Sequence, residues 1–180
     1  RYRQIEQEYD IEIEVKPVYP IAIRNPDFFA QVNPLWIPYL LKDIGRIAEY
    51  ENLPLAFPRP DPVVMNNETR EISPDQPHIF WVTRLGVEAA KRGKGLALLD
   101  EVSTLIWGSG IDGWNKGEHL AEAIARAGLD YADMQASIAG NEEKLDARIA
   151  ANQKDLGKKY QKIRAEKLKN LLSKASSSAS

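Results

Sequence analysis

The chain has 180 residues, of which 43% are hydrophobic and 28% charged, the composition of an ordinary globular protein of about one domain. Its 24 basic and 26 acidic residues give a net charge of −2, which argues against a nucleic-acid backbone as the main partner. The absence of cysteine excludes disulfides, thiolate metal sites and a cysteine nucleophile, and it fits a reducing, cytoplasmic compartment. His78 and His119 are far apart in the sequence, so no zinc site is expected.

Hydropathy and charge predict neither a membrane span nor a signal peptide. No apolar run approaches the ~18 residues of a spanning helix, and the first ten residues are charged and helical in pattern. Residues 158–180 carry seven basic side chains and one acidic one, and they end in a Ser-rich stretch that we expect to be disordered. The basic part is either an amphipathic helix that meets an anionic surface or a solvated terminal helix.

The first elements in chain order are a short helix and a strand. Tyr2, Ile5 and Tyr9 have helical spacing. In residues 11–15, apolar and charged side chains then alternate, which predicts a strand at a sheet edge or with one wet face, ended by Pro17. A lone strand leaves backbone groups unpaired, so three alternatives stay open. It pairs with strands outside these 180 residues, with another chain, or with a strand at residues 77–83.

The rest of the sequence predicts helices and connections. Residues 53–62 hold four prolines and predict an extended connection. Ser73 and Gln76 have the spacing of a capping box, which favours a helix from there to Arg92 over a strand. The other predicted helices lie at residues 27–32, 33–51 with a start or kink at Pro38, 96–107, 116–127, 130–139, and 141–157 with Gly157 as its end.

The order of these segments resembles the 2-hydroxychromene-2-carboxylate isomerase family, which is close to kappa-class glutathione transferases and has a DsbA-like thioredoxin fold. The resemblance rests on PVYPIAIRNPDFF at residues 17–29 and NPLWIPYLLKDIGRIAEYENLPLAFPRPDPV at residues 33–63, and it continues through AGLDYADMQASI at residues 127–138. It implies an α/β fold in which a large helical domain is inserted into a thioredoxin-like core, so that these residues are predominantly α.

The resemblance also implies a domain division. Residues 1–32 would be a partial thioredoxin-like core with the end of its first helix, an edge strand and a loop. Residues 33–157 would be the inserted helical domain and the return helix, followed by the basic helix and tail at residues 158–180. The first strand of the family and the serine that holds the glutathione thiolate would precede Arg1, and the C-terminal strands do not follow Gly157. The catalytic residue is therefore unassigned.

The activity implied by the resemblance is glutathione-dependent cis–trans isomerisation of a conjugated aromatic carboxylate, of the kind used in the degradation of aromatic compounds. Thiolate addition turns a double bond into a single bond, rotation follows, and the thiolate leaves. The expected cofactor is glutathione, the expected partner is a small aromatic carboxylate, and a homodimer is possible. The alternatives are a kappa-like glutathione transferase and a non-catalytic binding or scaffold protein of thioredoxin fold, whereas the lack of cysteine argues against DsbA-like redox work.

Six residues are candidates for this chemistry. Asn25 resembles a glutathione-contacting loop residue, and Asn33 is the second candidate for binding the cofactor; the alternatives are a turn residue and a simple helix cap. Trp36 and Tyr39 would floor an aromatic pocket, unless they are a buried helix face. Arg59 and Arg84 would hold a carboxylate, unless they are solvated surface residues. No metal site is expected.

Overall fold

The computed structural model describes residues 2–177, with the side chains of all but residues 3, 164, 165 and 167–177. All regular secondary structure in that range is helical. The nine helices are α1 (Tyr2–Glu8), α2 (Ile21–Arg24), α3 (Phe28–Gln31), α4 (Trp36–Tyr50), α5 (Ile79–Lys91), α6 (Gly95–Trp107), α7 (His119–Arg126), α8 (Tyr131–Ile138) and α9 (Glu142–Ser177). The prediction of a predominantly α chain is thus confirmed.

Helices α5 to α9 form a bundle around one apolar core. Helix α5 lies at its centre and packs against α6, α8 and α9, while α6 also packs against α7. The largest side chains with almost no exposed surface are Trp114, Leu85, Ile124, Met134, Ile138 and Ile149. Full burial of an aliphatic side chain of this size stabilises the fold by about 1.5–3 kcal/mol, so the bundle is the stable body on which the other segments lie.

Residues 10–19 are extended, but they do not form the predicted strand. Among the residues described, no backbone ladder forms at any point, and only two isolated bridges occur, between Arg59 and Asp112 and between Met65 and Ile72. The alternation of apolar and charged side chains at residues 11–15 is therefore compatible with an extended conformation in which Glu12 and Glu14 face solvent, but no neighbouring strand pairs with it among the described residues. The third alternative is wrong, because residues 79–83 belong to α5.

The capping box at residues 73–76 does not start a helix. The Ser73 hydroxyl accepts a hydrogen bond from the amide of Asp75 at 3.2 Å, while the Gln76 side chain is buried and serves another segment. Its amide donates to the carbonyl oxygen of Val64 and its carbonyl accepts from the Val64 amide, at 2.8 and 2.9 Å. Gln76 thus ties down the proline-rich connection, and α5 begins at Ile79.

Other helix boundaries differ from prediction for local reasons. Helix α4 starts at Trp36 and includes Pro38, because the first turn does not need the missing proline amide. Helix α7 starts at His119 because Gly117 has φ +57°, which a right-handed helix does not accept. Gly157 does not end the last helix: α9 continues through it to Ser177. The Ser-rich tail is helical up to that residue, and its predicted disorder at residues 178–180 falls outside the described residues.

Helix α4 lies outside the bundle. None of its residues is buried, although its apolar side chains are segregated on one side. The connection that follows it joins the bundle where the Ala56 amide donates to the carbonyl oxygen of Trp107 at 2.7 Å. The predicted division at Asn33 falls just before this helix, whereas the predicted division at Gly157 lies inside the continuous helix α9.

Candidate functional site

The extended segment at residues 10–19 lies on the bundle at two glycines. A Cβ built on Gly95 would lie 3.1 Å from the Val15 Cβ, and one built on Gly86 would lie 3.3 Å from the Pro17 Cγ. Both glycines belong to helices, Gly86 inside α5 and Gly95 at the start of α6. Their missing side chains let Val15 and Pro17 approach the helices closely.

Helix α9 holds the segment through three polar side chains. The Asn152 side-chain amide donates to the carbonyl oxygen of Pro17 at 2.9 Å, and the Tyr19 backbone amide donates to the side-chain oxygen of Gln153 at 3.2 Å. The Tyr19 hydroxyl donates to Asp146 at 3.0 Å. The first two bonds satisfy backbone groups that a sheet would otherwise satisfy, so the segment is held at this end without a neighbouring strand.

Asp146 also forms a two-pronged ion pair with Arg84. The Arg84 Nε and Nη2 donate to the two carboxylate oxygens at 2.9 and 2.7 Å. The hydrogen bond from Arg84 holds the pKa of Asp146 below its ordinary value, and the bond from Tyr19 adds to this effect. Burial, together with the hydrogen bond to Asp146, raises the pKa of Tyr19 to about 12. Tyr19 is therefore a neutral donor at ordinary pH.

The outer edge of the segment has unpaired backbone groups. The amide of Ile13 donates to the Glu6 carboxylate at 3.1 Å. The amides of residues 12 and 14–16 have no acceptor within the part of the chain that the structure describes. Along this stretch Ile13 and Val15 are half-buried, while Glu12 and Glu14 are exposed. Four amides of this stretch are thus without an acceptor in the described residues, and the Ile13 amide between them is bonded to α1.

Beside this edge lies a cavity of about 830 Å³. Its walls are the last turn of α1, residues 12–17 of the segment, the end of α5, the start of α6 and one side of α9. Pockets for small ligands commonly have roughly 300–1,000 Å³, so its volume suits a molecule the size of a tripeptide.

Basic side chains outnumber acidic ones around the cavity. The basic residues are Lys16, Lys91, Lys94, Lys144 and Arg148, and the acidic ones are Glu6, Glu12 and Glu14. Lys91 is engaged with Glu88 at 2.6 Å, while Lys144 makes only a 3.3 Å bond to the neutral side chain of Asn141. Arg148 has one long pair, 3.9 Å to Glu14. Lys144 and Arg148, one turn apart on α9, are therefore weakly engaged within the described part of the chain, as is Lys94, and can receive an anionic ligand.

The two asparagines predicted to bind a cofactor lie away from this cavity. Asn25 is an exposed residue at the end of α2, and its backbone amide donates to the carbonyl oxygen of Ile21 at 2.8 Å. The Asn33 side chain accepts a 2.9 Å hydrogen bond from the amide of Leu35, just before α4. Both positions have the local geometry of turn residues.

Trp36 and Tyr39 are on α4 and are exposed. The Trp36 ring packs edge-on against Phe28, with 5.9 Å between the ring centroids. Tyr39 has no ring contact in the described residues, and neither side chain lines the cavity. The structure therefore places the predicted aromatic floor on a separate face of the molecule.

The two arginines predicted to bind a carboxylate lie in different environments. Arg84 is bound to Asp146 through Nε and Nη2, so this edge of its guanidinium is occupied. Arg59 is exposed in the proline-rich connection, where its carbonyl oxygen accepts a 2.6 Å bond from the amide of Gly113. Lys144 and Arg148, which sequence reasoning missed, carry a signal in the sequence: two cations four residues apart beside the apolar positions Leu145 and Ile149.

Comparison with known proteins finds no matching family model, characterised protein or solved structure. The resemblance drawn from the sequence thus stays a prediction. Within residues 2–177, no helix is both long and apolar enough to cross a membrane, and no group of three potential metal-binding side chains occurs among those that are described.

Proposed function

We propose that this chain belongs to a glutathione-dependent isomerase, similar to 2-hydroxychromene-2-carboxylate isomerase, that acts on a conjugated aromatic acid by reversible thiol addition. The observation that carries the proposal is the extended segment at residues 10–19. Four of the five amides at residues 12–16 have no acceptor in the described residues, while its other end is fixed to the helical bundle. A sheet edge beside an inserted helical domain has this arrangement. The lack of cysteine supports the further proposal that the protein acts in the cytoplasm.

The cavity beside the edge supports glutathione as the cofactor. Glutathione has two carboxylates and one ammonium group, and the cavity wall offers the cations Lys144 and Arg148 together with the carboxylate of Glu12. Charge-assisted hydrogen bonds from lysine and arginine are the usual means of holding such carboxylates. The described lining residues carry no hydroxyl group, so in this cavity the thiolate would be stabilised by a cation or an amide.

Direct binding tests the cofactor part of the proposal. We expect glutathione at millimolar concentration to raise the melting temperature of the full chain, because a ligand bound only by the folded state stabilises it. In calorimetric titration, Lys144→Ala and Arg148→Ala are each expected to weaken binding roughly tenfold, the effect of losing one charge-assisted contact. Lys154→Ala, on the same helix but outside the cavity lining, is the matched control and should bind like the parent chain.

Turnover then separates the possible activities. An isomerase converts 2-hydroxychromene-2-carboxylate in the presence of glutathione without consuming the thiol. A kappa-like transferase would instead form a stable conjugate, which mass spectrometry detects. The proposal is wrong if the folded chain shows no thermal shift, no binding heat and no turnover, a result that would favour a non-catalytic scaffold protein.

A further inference from the structure

Helix α9 continues past its last described contact with the bundle. Asn152, Gln153 and Asp155 are the last of its residues that bond or pair with another described part of the chain. From Gly157 onward, every residue whose burial is described is exposed, yet the helix runs to Ser177. At about 1.5 Å per residue, residues 158–177 make roughly 30 Å of helix, which we call the α9 extension.

The α9 extension concentrates positive charge in a chain that is otherwise acidic. It has seven basic residues and one acidic one, a charge of +6, whereas residues 1–157 have 17 basic and 25 acidic ones, a charge of −8. Lys158, Lys159 and Lys162 are exposed, and none of them forms an ion pair with the residues described. Their charge is therefore available to an anionic partner.

The sequence of the α9 extension has a basic side and an apolar side. At 3.6 residues per turn, four lysines fall within an arc of about 100°: Lys158, Lys159, Lys162 and Lys169. Four apolar or aromatic residues fall within about 120° on the opposite side: Tyr160, Leu168, Leu171 and Leu172. Tyr160 is 62% exposed, so at this position the apolar side is not covered by the described chain.

This combination favours a membrane surface over other anionic partners. A nucleic-acid backbone or an acidic protein surface would use the lysines alone and leave the leucines in water. A bilayer with anionic headgroups uses both sides, because the lysines meet the headgroups while the apolar side reaches the edge of the acyl chains. Arg164 falls on the apolar side, where the long stem of an arginine lets its charge extend to the headgroups.

We propose that the α9 extension is a peripheral membrane-binding helix that lies along the surface of a bilayer containing anionic lipid. The charge of −8 on the rest of the chain opposes such binding. At physiological salt, however, the Debye length is about 8 Å, much shorter than the extension, so the two charges act separately. The cavity lining on α9 ends at Asn152, so the proposal does not rest on the glutathione chemistry.

Vesicle flotation of the full chain tests the electrostatic part. The chain should float with vesicles of phosphatidylcholine that contain about 30% phosphatidylserine and should not float with phosphatidylcholine alone. Lys158→Gln/Lys162→Gln should weaken binding roughly 25-fold, because each lysine near such a surface contributes about fivefold. Lys42→Gln/Lys116→Gln is the matched control: both lysines are exposed, the net charge changes equally, and binding should equal that of the parent chain.

A leucine variant tests the apolar side without changing the charge. Leu168→Gln/Leu172→Gln should weaken binding to the same vesicles at least about tenfold, since two leucines no longer leave water on binding. Leu41→Gln/Leu53→Gln, at exposed positions outside the extension, is the control and should bind like the parent chain. Circular dichroism of each variant shows whether its helices are kept.

Four results would overturn the proposal. The parent chain does not float with the anionic vesicles, or it floats equally well with neutral ones. A control variant loses as much binding as its counterpart in the extension. The leucine variant binds like the parent chain, or duplex DNA displaces the vesicles from the parent chain; either would assign the extension to a partner that recognises charge alone.

Discussion

Gly95 decides how closely the extended segment can approach the start of α6. A side chain on Gly95 would contact both Val15 and the Cα of Ala90 at 3.1 Å, closer than nine in ten real Cβ contacts. Gly45, in the middle of α4, has no neighbouring atom within 4 Å of such a side chain. The same residue type thus serves close packing at one position and has no packing role at the other.

We therefore expect Gly95→Ala to lower the free energy of unfolding by about 1–3 kcal/mol, the usual effect of overfilling a packed contact. Gly45→Ala should instead raise it by up to ~1 kcal/mol, because alanine favours the helix and nothing opposes its methyl group. Urea denaturation of both variants checks the pair. Equal effects at the two positions would contradict the close approach of residue 15 to α6.

The hydrogen bond between Tyr19 and Asp146 makes stability depend on pH in the alkaline range. The pKa of Tyr19 is raised to about 12, above the ~10 of an unfolded chain. A raised pKa means that its stabilising contribution is complete below about pH 10 and is lost as pH rises toward 12. Denaturation of the parent chain and of Tyr19→Phe from pH 8 to about pH 11.5 measures this effect. The stability difference between them should shrink above about pH 10; a constant difference would refute the assignment.

At the scale of elements, helix α8 begins and ends close to where its local capping residues predict. It was predicted between a cap at Asp130 and a stop at Gly140, and it forms at Tyr131–Ile138. The Asp130 carboxylate accepts a 2.7 Å hydrogen bond from the amide of Asp133, and Gly140 has φ +74°. Both signals act within four residues, so tertiary contacts are not needed to realise them.

Loss of this cap should lower stability measurably. We expect Asp130→Ala to lower the free energy of unfolding by about 1 kcal/mol, because one amide at the start of α8 then has no acceptor in the chain. Asp27→Ala is the matched control: Asp27 occupies the cap position of α3 but its side chain makes no capping bond. Thermal unfolding of the two variants should separate them, and a comparable loss in both would show that the Asp130 bond is not the cause.

Two predicted helix boundaries, at residues 73–76 and at Gly157, are wrong because contacts or helix energetics outside the local pattern override them. Ser73 and Gln76 have the spacing of a capping box, yet the Gln76 side chain forms its hydrogen bonds with the backbone of Val64, twelve residues away. Gly157 lies in α9 because a glycine disfavours a helix by only ~1 kcal/mol and needs a left-handed conformation to end it. Neither outcome is visible in the local pattern.

At the scale of the whole molecule, the extended segment depends on α9. Its backbone is bonded at the Pro17 carbonyl and the Tyr19 amide by Asn152 and Gln153, whereas four of the five amides at residues 12–16 have no acceptor among the residues described. Amide protons without acceptors exchange rapidly with solvent, and those near a fixed end are slower.

Hydrogen exchange measured by mass spectrometry should show this gradient. Peptides covering residues 12–16 are expected to exchange quickly, whereas the bundle helices exchange slowly. Asn152→Ala should speed exchange at the amides of Val18 and Tyr19 while leaving α7 and α8 unchanged, and Lys154→Ala should have no effect. Strong protection of residues 12–16 in the parent chain would show that the edge is already paired.

The sequence by itself determined that the chain is mainly helical, that residues 11–15 are extended with a charged outer face, and that α8 lies between two local signals. These properties follow from side-chain periodicity and from contacts within a few residues. Only the tertiary structure decided that the extended segment has no neighbouring strand among residues 2–177, that a cavity lies beside it, and that Lys144 and Arg148 face that cavity. Those outcomes depend on how distant helices pack, because α9 reaches the segment across more than a hundred residues of chain.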